Sequence, residues 1–475
     1  MKAFFKARGR PTLIGLIGTM ALAAAILGWR AHARAEVVRA VRPPVPALPG
    51  WPDEFRQRVR AAQRDSVEAL AQLGRLYHAN GFLAEATRCY DGLEKLQPAE
   101  PRWLHRHAAI LAGFGEAQPA IARWQRVVAL APDYVPARLR FAEMLAKTER
   151  TTEAARAFAD VLQRKPNEPY ALLGLARLDL EAGRWAEARK RLETVATASN
   201  YQLGYDLLVT VYEHFDQREP AAAVRGRAKA AGSFRDPPDP WLDELIDDCF
   251  DAYRLSLAAG GASRAGDRST ATRWLERAVA LAPEEVGVRF QLAGVYAERG
   301  DGAQARGQLE RCTVLAPNFP DAWAHLAALS ERAGERSAAE RIVAAGLRHC
   351  PESPGLHLMR ARQLREAGRM NEAIDAFRAS IRFRPNEADA YLELATTLFR
   401  LERVGEGIAE LEKALSAEPD HPMALALLAL HAIGEHNELA ARKWLAAVVE
   451  QPRVPREQLE QLLRGFRQEF GRSFR

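Results

Sequence analysis

At 475 residues the chain is long for a single globular core, and with 48 % apolar and 27 % charged residues it can bury a long core while facing water. That balance excludes a protein embedded in a membrane throughout. The net charge of +6 comes from the first 65 residues, where 12 bases face 4 acids; the rest holds 55 bases against 57 acids, so the charge gives no support to a nucleic-acid surface.

Lys2, Lys6, Arg8 and Arg10 precede Thr12 to Trp29, a run of eighteen residues without a charge. A basic start followed by such a run is an export signal. The run just reaches the roughly 17 to 25 residues that span a bilayer. Arg30 and Arg34 behind it disfavour cleavage, which gives an inner-membrane anchor through residues 12–29. Ala33-Arg34-Ala35 offers small residues at the spacing of a cleavage site, which gives a secreted form instead. Residues 1–36 are therefore read as a signal peptide or an anchor, and either form sends the remainder out of the cytoplasm. Within residues 37–66, Pro43, Pro44, Pro46, Pro49 and Pro52 predict a stiff linker that lifts the body off the membrane. A short leading helix over Asp53 to Arg64 follows.

From Val67 the sequence repeats with a period of thirty-four. The unit is clearest over Pro354 to Glu387, where two antiparallel helices set Arg360, Ala361 and Leu364 against Ala373, Phe377 and Ser380. Gly368 marks the turn, which needs a backbone that only glycine adopts cheaply, and Pro385 falls just past the second helix. The closing proline recurs as Pro98, Pro132 and Pro166, then as Pro283, Pro317, Pro351, Pro385 and Pro419. Small residues of the first helix recur as Gly74, Ala108, Ala142, Ala176, Ala259, Ala293, Ala327, Ala361, Ala395 and Ala429. Facing them are Ala86, Ala120, Ala154, Ala188, Ala271, Ala305, Ala339, Ala373 and Ala441, with Gly407 as the one substitute. Turn glycines are replaced by Glu149, Glu402 and His436 in three copies.

This pattern resembles the tetratricopeptide repeat (TPR), and the resemblance covers nearly everything from Val67 to Pro455. It implies an all-α fold, a right-handed α-solenoid of about eleven helix pairs, in two blocks. Repeats 1 to 5 occupy 67–236, the fifth being degenerate, and repeats 6 to 11 occupy 252–455. Residues 456–475 predict a C-terminal capping helix, with Leu459, Leu462, Leu463 and Phe466 covering the last apolar edge.

Between the blocks lies an insertion, residues 237–251, PPDPWLDELIDDCFD, which matches no part of the repeat and holds no base. Asp239 before Pro240 predicts a helix start with the carboxylate as cap. Asp243, Asp247 and Asp251 are then expected on one face. One reading is a solvated acidic helix that plugs a joint between the blocks, with Trp241 and Phe250 in the seam. The other is an element that binds a partner or occludes the groove. The spacing lacks the loop glycine and alternating ligands of a calcium loop.

In the repeat family the concave surface is lined by defined positions of each first helix, which fall here on Arg75, His78, Arg102, His105, Lys147, Tyr170 and Arg177, together with Glu68, Glu143 and Glu181. Bases outnumber acids there, which gives an acidic peptide segment or an anionic glycan as the expected occupant, with a mixed solvated face as the equal alternative. The lysine and asparagine that clamp a terminal carboxylate in chaperone-binding members are absent. His105 and His107 are two apart and point to different sides of a helix, so they do not jointly hold a metal. No nucleotide, haem or hydrolase motif occurs, and no catalytic residue, cofactor or metal is expected. Of the cysteines, Cys312 and Cys350 are nearest by register, at a spacing too wide for a disulfide. The expectation is a non-enzymatic, exported scaffold of a bacterial cell envelope that binds other proteins. A factor in envelope polysaccharide assembly or export is the alternative.

Overall fold

The computed structural model describes residues 10–199, 201–230, 237–264, 266–451 and 454–474, with the side chains at 10–19, 21, 229 and 230 outside the description. Two helices lead in, α1 (Arg10–Val41) and α2 (Asp53–Ala61). Repeats 1 to 5 follow as α3 (Val67–Ala79) with α4 (Leu83–Leu96), α5 (Pro101–Gly113) with α6 (Ala117–Leu130), α7 (Val135–Lys147) with α8 (Thr151–Arg164), α9 (Pro169–Glu181) with α10 (Trp185–Ala198), and α11 (Gln202–His214) with α12 (Arg218–Ala230). The insertion forms one turn, α13 (Pro240–Asp243), and a 3-10 segment, Glu244–Asp248. Repeat 6 is α14 (Ala252–Arg264) with α15 (Arg268–Leu281). Repeats 7 to 11 are α16 (Val286–Arg299) with α17 (Gly302–Leu315), α18 (Pro320–Arg332) with α19 (Arg336–His349), α20 (Pro354–Glu366) with α21 (Met370–Phe383), α22 (Ala388–Phe399) with α23 (Val404–Ala417), and α24 (Pro422–Gly434) with α25 (Glu438–Val449); α26 (Arg456–Phe470) closes the chain. The fold class is all-α, a solenoid of helix pairs.

The period-thirty-four residues do what their size dictates. Ala108, Ala142, Ala176, Ala361 and Ala395 on the first helices are fully buried, and so are Ala120, Ala154, Ala188, Ala373 and Ala441 on the second. With no side chain beyond Cβ, the two helices approach closely. Gly407 breaks the alanine series for a visible reason: Phe399 lies over it, and a Cβ would collide with that ring. The turns keep a left-handed backbone whatever residue stands there. Glycines at 81, 115, 183, 266, 300, 334 and 368 have φ between 72° and 86°, and Glu149, Glu402 and His436 adopt the same region at 59°, 59° and 51°.

Two compact units result, one up to Ala282 and one from Pro283. The sequence placed the joint at the insertion; the structure keeps repeat 6 with repeats 1 to 5. The cause is a set of contacts back to the insertion, where Arg277 donates to the carbonyl of Asp247 (2.8 Å) and stacks on Phe250. In the second unit, α26 seats Leu462 and Phe466 against Ile433, Leu445 and Val448, as expected of a cap.

The linker expected over residues 37–52 is docked, not free. Helix α1 continues through Val41, buries Val38 and presses Val41 onto Gly92 so tightly that a Cβ there would clash. Arg39 and Arg42 both pair with Asp65, at 2.7 and 2.9 Å. Trp51 then packs, tilted, against both Phe55 and Phe82. Apolar side chains in this short segment found a surface, which prolines alone do not reveal. Among the described residues no helix is long and apolar enough to cross a membrane, and much of the expected anchor, Thr12 to Trp29, lies outside the described side chains.

Candidate functional site

The insertion lies along the first helices of repeats 1 to 3, on the face the repeat register assigned to the groove. It runs against the repeat order, entering at repeat 3 and leaving at repeat 1. Three carboxylates fasten it. Asp239 accepts from His105 Nε2 (2.8 Å), the Tyr134 hydroxyl (2.6 Å) and Arg140 Nε (2.8 Å). Glu244 accepts from Arg106 Nη2 (2.8 Å), with Arg102 Nη1 at 3.9 Å. Asp248 takes Arg75 through Nε and Nη2 (2.8 and 2.6 Å), and Arg58 at 3.4 Å.

Backbone and ring contacts complete the attachment. The Asn80 side chain donates to the carbonyl of Asp248 (2.9 Å) and accepts from the Phe250 N–H (2.5 Å), so one amide clamps the strand of backbone from both sides. Trp241 lies flat on Tyr134, with centroids 3.6 Å apart at 9°, and its N–H donates to the Tyr134 hydroxyl (3.0 Å). Its carbonyl accepts from Arg106 Nε (2.9 Å). Phe250 packs on Phe55 under Arg58.

The expectation of a solvated helix does not hold, since Asp239, Leu245, Asp248 and Phe250 are buried, whereas Phe250 does pack beside Arg277 of repeat 6 as the joint reading expects. Three details of the sequence reading fall with the solvated helix. Asp239 is not a helix cap, because its carboxylate is drawn to His105, Tyr134 and Arg140 instead. The helix is one turn long, so Asp243, Asp247 and Asp251 do not share a face. Asp243 accepts from the Asp239 N–H (3.2 Å), Asp247 is exposed, and Asp251 caps α14 by accepting from the Arg254 N–H (3.0 Å). The acids that act are Asp239, Glu244 and Asp248.

The groove residues read from the sequence divide into two sets. Arg75, Arg102 and His105 lie under the insertion. Lys147, Tyr170 and Arg177, with Glu143 and Glu181, line a cavity of about 210 Å³ at repeats 3 and 4, floored by Phe158. Two bases and two acids face each other there, so the open part of the groove is balanced, and the basic excess is met by the chain's own acids. His78 belongs to neither set: it turns to the Tyr90 hydroxyl (3.2 Å), and burial pulls its imidazole down to about 3. In the second unit the groove of repeats 8 and 9 holds a cavity of about 660 Å³, with Ala324 and Ala328 beside Met359 and a mixed rim of Glu331, Arg332 and Arg362.

Electrostatics hold the insertion in place. Burial alone would raise the Asp239 carboxyl, but the hydrogen bonds from His105 and Tyr134 and the charge on Arg140 outweigh it and hold the group at about 2. The Trp124 indole donates to His105 Nδ1 (3.2 Å); since indole only donates, the ring proton sits on Nε2, aimed at Asp239. His107 points the other way, as the two-residue spacing requires, to Glu94 (2.7 Å). Asp91, Glu94 and His107 are close enough to ligate a metal, but the Arg123 guanidinium occupies the cluster, 2.9 Å from Glu94 and 3.4 Å from Asp91. All four cysteines are buried free thiols, Cys312 and Cys350 included.

Sequence reasoning missed Arg58, Asn80, Arg106, Tyr134 and Arg140. One signal was present: Arg106 and Arg140 stand at the same register one repeat apart, on a position the family's groove pattern leaves out.

Comparison with known proteins agrees with the repeat register. Family models described as "Tetratricopeptide repeat" match residues 105–169, 145–200, 320–362 and 364–430. Cellulose synthase 1 operon protein C of Komagataeibacter xylinus is 27 % identical over 209 residues, 40 % of this chain and 15 % of that protein. Cellulose synthase operon protein C of Komagataeibacter sucrofermentans is 26 % identical over the same length and shares. The chain thus spans a small part of the length of these curated relatives. The solved structure of yeast Tom70 superposes with a TM-score of 0.39 at 15 % identity, covering 85 % of this chain and 96 % of that one. With repeat models matching residues 105–200, 320–362 and 364–430 and the described helices paired in the same register, the chain is a tetratricopeptide repeat protein.

Proposed function

We propose that the protein is a non-catalytic interaction scaffold that takes a partner segment in the part of its first groove left open beside the insertion. The observation that carries this reading is the cavity at repeats 3 and 4, where Lys147, Arg177, Glu143 and Glu181 surround an apolar floor of Phe158 and Tyr170. Such a site fits one apolar side chain of a segment whose flanking residues carry charge. A photo-crosslinking residue at Tyr170, used in intact cells and followed by mass spectrometry, identifies the partner. Charge reversal at Lys147 and Arg177 should abolish its capture at unchanged thermal stability; undiminished capture removes the reading.

A second reading concerns the pathway. Similarity to the cellulose synthase operon proteins supports a role in assembling or exporting a cell-envelope polysaccharide. The basic start and the uncharged run Thr12 to Trp29 support export, with the repeats in the periplasm. Deleting the gene should lower exported polysaccharide, and an alkaline phosphatase fused after Arg475 should be active. Normal polysaccharide and an inactive fusion would each count against it.

A further inference from the structure

We propose that the groove of repeats 1 to 3 is a receptor for an acidic, aromatic-bearing segment of a partner protein, and that Pro237 to Asp251 is its resident substitute, which that segment displaces. This rests on the scaffold reading and adds the partner's chemistry to it.

The attachment has the character of ligand recognition. A segment that only filled space would meet apolar surface, because burying charges and amides stabilises less than burying hydrocarbon of the same volume. Here the repeats present His105, Arg106 and Asn80, all at 5 % exposure or less, and every one of them contacts the insertion. Cations of α2, α3, α5 and α7 converge on three carboxylates spaced along the strap, so the two surfaces are complementary in sign at three points of their contact. Asn80 reads peptide backbone and not side chain, a contact that any extended segment can make. When the strap leaves, the charged and amide groups it uncovers are ones that water solvates well, while Trp241, Leu245, Cys249 and Phe250 give up packed contact.

The strap also defines what replaces it. Its contacts fall on Asp239, Trp241, Glu244, Asp248 and Phe250, which is an acid, an aromatic two residues on, an acid three further, an acid four further and an aromatic two further. A displacing segment carries that pattern and runs from repeat 3 towards repeat 1.

The test uses the full-length chain and a fluorescein-labelled peptide of the sequence Pro237 to Asp251 carrying Cys249→Ser. Wild-type protein should bind it at least tenfold more weakly than protein carrying Asp239→Asn, Trp241→Ala and Asp248→Asn, whose strap is released. Arg75→Glu with Arg106→Glu in the released protein should abolish binding, whereas Lys147→Glu with Arg177→Glu should not, which separates this site from the cavity of repeats 3 and 4. Equal binding to wild-type and released protein, with helix content preserved, overturns the proposal. Should the released protein associate into dimers that the peptide does not dissociate, the strap is exchanged between copies and the partner assignment is wrong. Hydrogen exchange on wild-type protein gives a readout that needs no variant. The amides of Asp243 and Phe250 should exchange at least a hundredfold faster than those of α4 and α6; equal rates would mean the strap opens only when the repeats unfold, and overturn the proposal.

Discussion

Replacing Asp239 by asparagine tests the electrostatic account of the insertion most sharply. The side chain is 2 % exposed and accepts from three donors, and the amide that replaces it keeps the shape, loses the charge and turns an N–H₂ towards those donors. Two routes give the magnitude. Holding the carboxyl at about 2, against an ordinary value of 3.8, corresponds to about 2 kcal/mol of stabilisation. Breaking one partner of a buried charged cluster costs about 3–5 kcal/mol, reduced here because Arg140 reaches water. A loss of about 2–4 kcal/mol from the first unit follows, seen by calorimetry as a fall of about 5–10 °C in its transition. Because the folded-state value lies below the unfolded one, this contribution is whole above about pH 4 and disappears as pH falls through about 2. The difference between wild type and variant should therefore be full at pH 7 and close as the pH approaches 2. Asp247→Asn, at an exposed position of the same segment, serves as the control. A variant that melts within about 1 °C of wild type at pH 7 would refute the reasoning.

Three further outcomes are expected. Glu149→Gly and Glu402→Gly relieve left-handed backbone, worth about 1–2 kcal/mol less the greater chain entropy of glycine, so each should raise the denaturation free energy by about 0.5–1 kcal/mol; a decrease in either contradicts the turn assignment. Gly407→Ala should destabilise the second unit by about 1–3 kcal/mol through collision with Phe399, and a simultaneous Phe399→Leu should recover most of the loss; additive effects of the two substitutions in a double-mutant cycle would deny the contact. Burial raises the Cys312 thiol to about 11 and Cys89 to about 12, so neither should react with a thiol reagent at pH 8 until the protein unfolds, and rapid labelling of native protein would contradict the packing.

The repeats were legible because their stabilising contacts are local. Each pair packs against its own partner helix and the next pair, so the requirement for a small residue at Ala361 and Ala373 is written again every thirty-four residues. Even the exceptions could be read: Glu149, Glu402 and His436 occupy the turn register and adopt the turn's backbone. The insertion was not legible for the opposite reason. Asn80 and Phe250 are 170 residues apart, and no local pattern records that they meet. Asp239-Pro240 has the local form of a helix start, yet a carboxylate offered two strong donors and a hydroxyl leaves the backbone for them. Part of the candidate site could be named in advance, since Arg75 and His105 follow from repeat register. Their occupant could not, because its acids act at 239, 244 and 248, a spacing that no single helix face would produce.

Tying residue 80 to residue 250 changes how the first unit comes into being. A plain stack can add each pair as it is made, whereas this contact waits for a loop of about five repeat lengths to close, an entropic handicap about 1.4 kcal/mol greater than closing over one repeat. While the chain is being synthesised, repeats 1 to 3 are complete before their strap has emerged. During that interval the vacant channel belongs to whichever acidic segment arrives first, so a partner present at birth holds an advantage over one that comes later.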